Sequence, residues 1–223
     1  MTDQQTPSVI PPTPSAADYV TDSHGKPLIP DASDPISLFQ DWMAAAREHE
    51  LNDSNAMSLA TVDASGLPDV RIVLLKAISA DGLTFFTNFK SAKGHQLSDN
   101  PVAAVCFHWK SMRRQVRFRG AILPVPDEAA DVYFASRAKD SRIGAIASKQ
   151  SQPLPSRETF EDRIKALQAQ YEGTDDVPRP ENWGGYRLVP ESIEFWQDQA
   201  FRMHDRLKFV RTEDGWSAER LYP

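Results

Sequence analysis

Between residues 35 and 49 the apolar side chains Ile36, Phe39, Trp42, Met43 and Ala46 return every three or four positions, which places them on one stripe of a helix. Downstream the period changes. AMSLATV (56–62), DVRIVLLKAI (69–78), LTFFTN (83–88), VAAVCFHW (102–109) and RRQVRFRGAILPV (113–125) are mostly short, rich in β-branched or aromatic residues, and bounded by Asp, Gly, Asn or Pro, so each predicts a strand. The first three are separated by about five residues, which suits consecutive antiparallel hairpins. Helical patterning resumes over 127–136, where Asp127 is a candidate cap, over 139–147, and over 156–171 behind Ser156. After a Pro-rich connection from Asp176 to Glu181 the chain reads as strand again in YRLV, SIEFWQ, RLKFVRT and WSAERLY. Strands in both halves around a helical insert predict one α+β domain, mainly β, on an antiparallel barrel or sheet.

Residues 1–33 lack this patterning. They hold Pro7, Pro11, Pro12, Pro14, Pro27 and Pro30, many Ser, Thr and Asp, and only Lys26 as a fixed cation. So little apolar surface cannot offset the entropy of ordering, and a disordered or flexible arm is expected, with Tyr19 and Val20 as its candidate docking residues. The domain proper is 34–223. The whole chain of 223 residues carries 25 basic and 31 acidic side chains, a formal charge of −6. That balance argues against nucleic-acid partners, which are bound by neutralising phosphates. No run approaches the roughly 20 apolar residues of a membrane span, and the opening residues lack the basic and apolar regions of a secretory signal. With Cys106 as the single cysteine, no intramolecular disulfide is available. A soluble cytoplasmic protein is expected, without membrane or nucleic-acid partners.

Candidate chemistry lies in cations set on elements that ought to be apolar. No GxGxxG, GxxxxGK, HExxH or GxSxG motif occurs, and the five histidines show no metal-ligand spacing. In RIVLLK, alternation along a strand sends Arg71 and Lys76 to opposite faces, where they suit two different anions. Tyr133, Arg137 and Ser141 recur at fourth positions; on an uninterrupted helix a guanidinium fork between two hydroxyls suits a phosphate ester. In an extended RMHDR segment, Arg202, His204 and Arg206 project to one side, and the two arginines depress protonation of the histidine between them. Arg113, Gln115, Arg117 and Arg119 alternate along a strand, where the Gln115 amide can read the edge of a heterocycle. A solvated strand end or helix face accounts for any one of these sets. Taken together they describe a site for two phosphorylated aromatic small molecules inside an acidic protein, with a bound organic cofactor as the source of chemistry.

The segments RIVLLK (71–76), FFTN (85–88) followed by SAKGHQL (91–97), RRQV (113–116), YFASRAKDSRIGAIASKQS (133–151), NWGGYRL (182–188), EFWQ (194–197) and RMHDRL (202–207), in this order, closely resemble the pyridoxine/pyridoxamine 5′-phosphate oxidases over residues 34–223. The resemblance implies an FMN-binding split β-barrel with flanking helices, assembled as a homodimer with FMN at the subunit interface. It implies oxidation of pyridoxamine or pyridoxine 5′-phosphate to pyridoxal 5′-phosphate, with O2 as acceptor and hydrogen peroxide released. Arg71, Ile72, Val73, Leu74, Leu75, Lys76, Phe86, Thr87, Lys93, Gln115, Gln150, Ser151, Trp196 and Arg206 match FMN-contacting positions. Lys76, Tyr133, Arg137 and Ser141 match the substrate-phosphate pocket, and Arg202 and His204 the catalytic pair that holds the pyridine ring over the flavin. No metal is implied. Ala92 stands where the family commonly has an arginine, and the arm lacks the basic stretch that in relatives folds over substrate. Two alternatives share the fold: a phenazine-pathway flavin oxidase, whose substrate is not a phosphate ester, and a non-catalytic binder of flavin, haem or pyridoxal phosphate.

Overall fold

The computed structural model describes residues 10, 11, 13–18 and 28–223; Tyr19, Val20 and most of the arm lie outside them. Helix α1 (Pro35–His49) starts where the Asp34 carboxylate accepts a hydrogen bond from the Ile36 amide at 2.9 Å, with proline at the first helical position. The strands are β1 (Ala56–Val62), β2 (Pro68–Leu74), β3 (Ala77–Ser79), β4 (Gly82–Asn88), β5 (Val102–Trp109), β6 (Arg114–Pro124), β7 (Trp183–Gln197), β8 (Asp205–Thr212) and β9 (Gly215–Arg220). Between them lie α2 (Ala92–Asp99), α3 (Asp127–Ala135), α4 (Lys139–Ala147) and α5 (Arg157–Gln170). The strands pair in the order β2-β1-β5-β6-β7-β4-β3, with β8 added to β7 and β9 to β8, and every pairing is antiparallel.

The stripe of α1 plugs the curled sheet. Phe39 meets Phe118 and Phe107 at 4.8 and 4.9 Å between ring centroids, and Trp42 meets Phe195 edge-on at 5.2 Å. Leu59, Phe85, Val105, Val116, Ile193, Leu207 and Phe209 fill the rest of this core from the strands. Each aromatic here buries a large apolar area in edge or tilted geometry, so the barrel and α1 stabilise one another.

Four elements differ from the sequence reading. Segment 69–78 is two strands: the Leu75 amide still bonds to Asn55, but the Lys76 amide bonds to Thr84, so the chain changes partners there and Leu75 turns into the core. YRLV and SIEFWQ form one continuous strand, β7, because β6 spans its length while β4 pairs with its first half and β8 with its second. Pro190 falls between those halves, where neither β4 nor β8 needs its missing N–H, opposite the register shift at Arg119/Gly120. SAKGHQLSD contains helix α2, capped by Ser91; with Leu97 as its one large buried apolar side chain it shows little amphipathic pattern. Asp127 does not cap α3: the cap position is Pro126, without a side-chain bond.

Ile29 is 2% exposed and sits in the core, although composition groups it with the arm. Its amide donates to the Asp205 carboxylate at 2.6 Å and its carbonyl accepts from Arg220 at 2.7 Å. Arg220 also forks onto both Asp205 oxygens at 2.7 and 2.8 Å and reaches Asp31 at 2.8 Å.

Candidate active site

A cleft of about 460 Å³ opens between the end of the sheet and helices α2 to α4. β2 is the terminal strand of the pairing order, so alternate backbone N–H and C=O groups on its free side are available to a ligand. Ile72, Val73 and Leu74 line the cleft from β2, Lys76 from the break after it, and Phe86 and Thr87 from β4. Lys93 enters from the first turn of α2, Tyr133 and Arg137 from α3 and its end, and Gln150 from beyond α4. These are ten of the positions singled out in the sequence.

The cleft holds cations with little carboxylate to balance them. Lys93 is 9% exposed, and its ammonium donates to Gln150 at 3.2 Å. Burial holds its pKa below the ordinary value, nearby Arg71 lowers it further, and Asp69 pulls it back. Arg137 has a buried Nη1 with no hydrogen-bond partner, while its guanidinium carbon lies 5.0 Å over the Trp183 ring. Burial and then, after the opposing influence of Tyr133, nearby Arg142 weaken its hold on the proton, although a guanidinium stays charged. An unpaired buried donor on a cation costs free energy unless something anionic meets it.

The aromatic side chains give the cleft a flat wall. Phe86 stacks on Tyr133 at 4.0 Å and on Trp183 at 5.4 Å, with interplanar angles of 19° and 8°. Lys76 Nζ stands 6.0 Å from the Tyr133 ring centroid. Gly185 makes this stack possible, because a Cβ there would lie 2.8 Å from the Phe86 ring.

Other sequence-selected residues lie elsewhere. Arg71 is folded back onto Thr61 (2.5 Å), Asp69 (2.6 Å) and Gln96 (2.9 Å), outside the cleft lining. Leu75 is in the core, and Ser151 is an exposed turn residue with φ 68°. The helix that was to carry Tyr133, Arg137 and Ser141 is broken at Ser136–Ala138, so Ser141 belongs to α4 and is exposed.

Gln115, Trp196 and Arg206 are cross-strand neighbours on the outer face of β6, β7 and β8, and none of them lines the cleft. Arg206 donates to Glu194 at 2.8 and 3.0 Å and to the Tyr222 carbonyl at 2.9 Å; Arg117 bonds the other Glu194 oxygen. The His204 ring lies 4.5 Å from Trp196. Arg202 does not share an extended face with His204: it ends a short 3-10 turn (Ala200–Arg202) with φ 60°, and only Asp205 onward is strand. Burial is the largest influence lowering the His204 pKa; Asp198 opposes it, and Arg202 and Arg206 add to it.

Asn88, Gly144, Ala145, Ser148 and Trp183 complete the lining and were not selected as site residues. Gly144, Ala145 and Ser148 follow Ser141 at helical spacing, so the phase of α4 carried that signal. Among the described residues no group of three or more His, Cys, Asp or Glu side chains could hold a metal ion, and no helix is long and apolar enough to cross a membrane.

Residues 43–171 match the family model described as pyridoxamine 5′-phosphate oxidase, and residues 183–223 match that of the pyridoxine 5′-phosphate oxidase C-terminal dimerisation region. A curated protein of Hyphomonas neptunium, named pyridoxine/pyridoxamine 5′-phosphate oxidase, is 64% identical over 98% of this chain and 100% of its own length. One of the same name from Maricaulis maris is 55% identical over 96% and 98%. Among solved structures, PhzG from Burkholderia lata 383, in complex with tetrahydrophenazine-1-carboxylic acid, superposes with a TM-score of 0.81 at 29% identity, covering 86% of this chain and 94% of that one. A pyridoxamine 5′-phosphate oxidase-related, FMN-binding protein from Nostoc punctiforme superposes with a TM-score of 0.70 at 19% identity over 86% and 100%, which speaks to the fold.

Proposed function

The chain belongs to the pyridoxine/pyridoxamine 5′-phosphate oxidase family, and from that membership we propose that it oxidises pyridoxamine and pyridoxine 5′-phosphate to pyridoxal 5′-phosphate with bound FMN, in the cytoplasm, passing the electrons to O2. The observation that carries the substrate class is the buried, unpartnered Nη1 of Arg137 beside Tyr133 and Lys76: the cleft offers a charged donor for a phosphate oxygen. Other residues of the same cleft fit FMN. Lys93, Thr87, Gln150 and the free edge of β2 offer a buried cation, hydroxyl, amide and backbone groups to a second phosphate and a heterocycle edge. FMN, when bound, supplies the hydride acceptor.

The chain's own residues do the rest. Lys76, Tyr133 and Arg137 fix the phosphate end of the substrate, which removes translational freedom before any bond changes. Gln115, Trp196, His204 and Arg206 form a second group on the outer face of the barrel, away from the cleft. Their separation supports a homodimer in which a second copy brings its outer-face group against the cleft, as a C-terminal dimerisation region suggests. Arg202 and His204 then hold the pyridine ring and its phenolic oxygen, and no strong base is required.

Aerobic incubation of the FMN-loaded protein with pyridoxamine 5′-phosphate, following oxygen uptake and pyridoxal phosphate absorbance, tests this reading. Aldehyde formation with oxygen uptake is expected, and Arg137→Ala should raise KM by about tenfold or more through loss of a charge-assisted contact. Flavin reduction by a phenazine precursor with no turnover of the phosphate esters favours a phenazine-type oxidase instead. No flavin reduction by either substrate makes the protein a binder.

A further inference from the structure

Arg179 is not itself among the cleft-lining residues or the outer-face group, yet its guanidinium ties together three residues beside the substrate pocket. It lies between Pro178 and Pro180, whose rings restrict the local backbone and so limit where its side chain can reach. Only 11% of that side chain is exposed. Nε donates to Asp131 at 2.6 Å, Nη2 to Asp127 at 2.8 Å, and Nη1 to the Trp183 carbonyl at 2.7 Å. Asp127 and Asp131 are one turn apart on the same face of α3, so one guanidinium fastens the first turn of that helix to the start of β7.

Helix α3 needs such a fastening. It has no side-chain cap, and Ala130 and Phe134 are its only buried residues. Phe134 meets the Trp183 ring edge-on at 4.9 Å, so the helix rests on the same residue whose carbonyl Arg179 holds. Trp183 is also the surface over which the Arg137 guanidinium lies and against which Phe86 stacks. The position of Tyr133 and Arg137 relative to Trp183 therefore depends on how α3 is held against β7.

We propose that Arg179 is a positioning residue for the phosphate-binding half of the active site, clamping α3 to β7 so that Tyr133 and Arg137 converge on the ester. This rests on the reading of that half as the phosphate pocket. A shift of about an ångström in such a group can cost up to two orders of magnitude. The effect belongs to the phosphate end alone, so binding of non-phosphorylated pyridoxamine is spared.

The test is steady-state kinetics of the FMN-loaded enzyme with pyridoxamine 5′-phosphate and with pyridoxamine. Arg179→Ala should raise KM for the phosphate ester about tenfold, with kcat, FMN content and KM for pyridoxamine at wild-type values. Arg179→Lys should recover part of the loss, since one ammonium cannot span the three acceptors. Asp127→Ala combined with Asp131→Ala removes both acceptor oxygens at side chains that are 82% and 60% exposed, and it should reproduce the Arg179→Ala phenotype. Unchanged KM in the Asp127/Asp131 variant, or parallel losses on both substrates, would overturn the inference. Arg137→Ala separates it from its premise. If Arg137→Ala raises KM and the clamp variants do not, the clamp alone is wrong; if Arg137→Ala has no effect, the pocket reading fails and the clamp with it.

Discussion

His204 faces two opposite demands at one nitrogen. The Gln199 amide points at Nδ1 from 3.3 Å and asks it to accept, while an Asp198 carboxylate oxygen 3.2 Å away asks it to donate. Burial, with help from Arg202 and Arg206, holds the pKa below its ordinary 6.5 against the pull of Asp198, so the ring is neutral at neutral pH. Between that lowered value and 6.5 the unfolded chain binds more protons than the folded one, and stability rises with pH across the interval. The contribution is complete above 6.5 and disappears as pH falls through the folded value. An NMR titration of the His204 ring should give a midpoint below 6.5. A midpoint above 6.5 would mean that Asp198 outweighs burial. Flanking arginines in the sequence indicated the direction of this shift, but not that burial is its main cause, since burial depends on Trp196 and strands distant in the chain. Arg71 depends on distant partners in the same way: Thr61 and Gln96 come from β1 and α2, and they fold its guanidinium back from the cleft lining.

At the scale of elements, hydrophobic period located most strands and helices, because alternation and the three-to-four repeat are set by local geometry. It failed where a partner decides the outcome. The break at Leu75 and Lys76 arises from exchanging β1 for β4, and the unbroken course of β7 through Pro190 arises from having β6 along one side throughout. Helix α4 offers a clean separation of folding from binding. Gly144 lies within α4 and lines the cleft, and a Cβ built there meets no atom within 4 Å. Gly144→Ala should therefore raise the stability of the FMN-free protein by up to about 1 kcal/mol, through the higher helix propensity of alanine. The added methyl group occupies space in the cleft, so FMN affinity should fall. Thermal melts of the FMN-free protein and a fluorescence titration with FMN measure the two effects, and their opposite signs are the expected result.

Across the whole molecule the net charge of −6 hides an uneven distribution. Lys76, Lys93 and Arg137 line one cleft, while Arg117 and Arg206 share Glu194 on the outer face. The motifs of the family were legible residue by residue, but their division between a cleft and a distant face was not, because spacing along a chain carries no information on which side of a barrel a strand presents. Asp205 sits between His204 and Arg206, and one of its oxygens is shared by the Ile29 amide and Arg220. Truncation reads that junction directly. A chain beginning at Leu28 keeps Ile29 and its bonds, and should melt and turn over like the full-length protein. A chain beginning at Asp34 loses a buried isoleucine, at a cost of about 2 to 5 kcal/mol, and leaves Asp205 short of one donor. Its kcat should fall by more than its melting temperature explains. The six residues from Leu28 to Ser33, with Ile29 176 positions away from Asp205 in sequence, then act as a removable splint for β8, the strand that begins directly after His204.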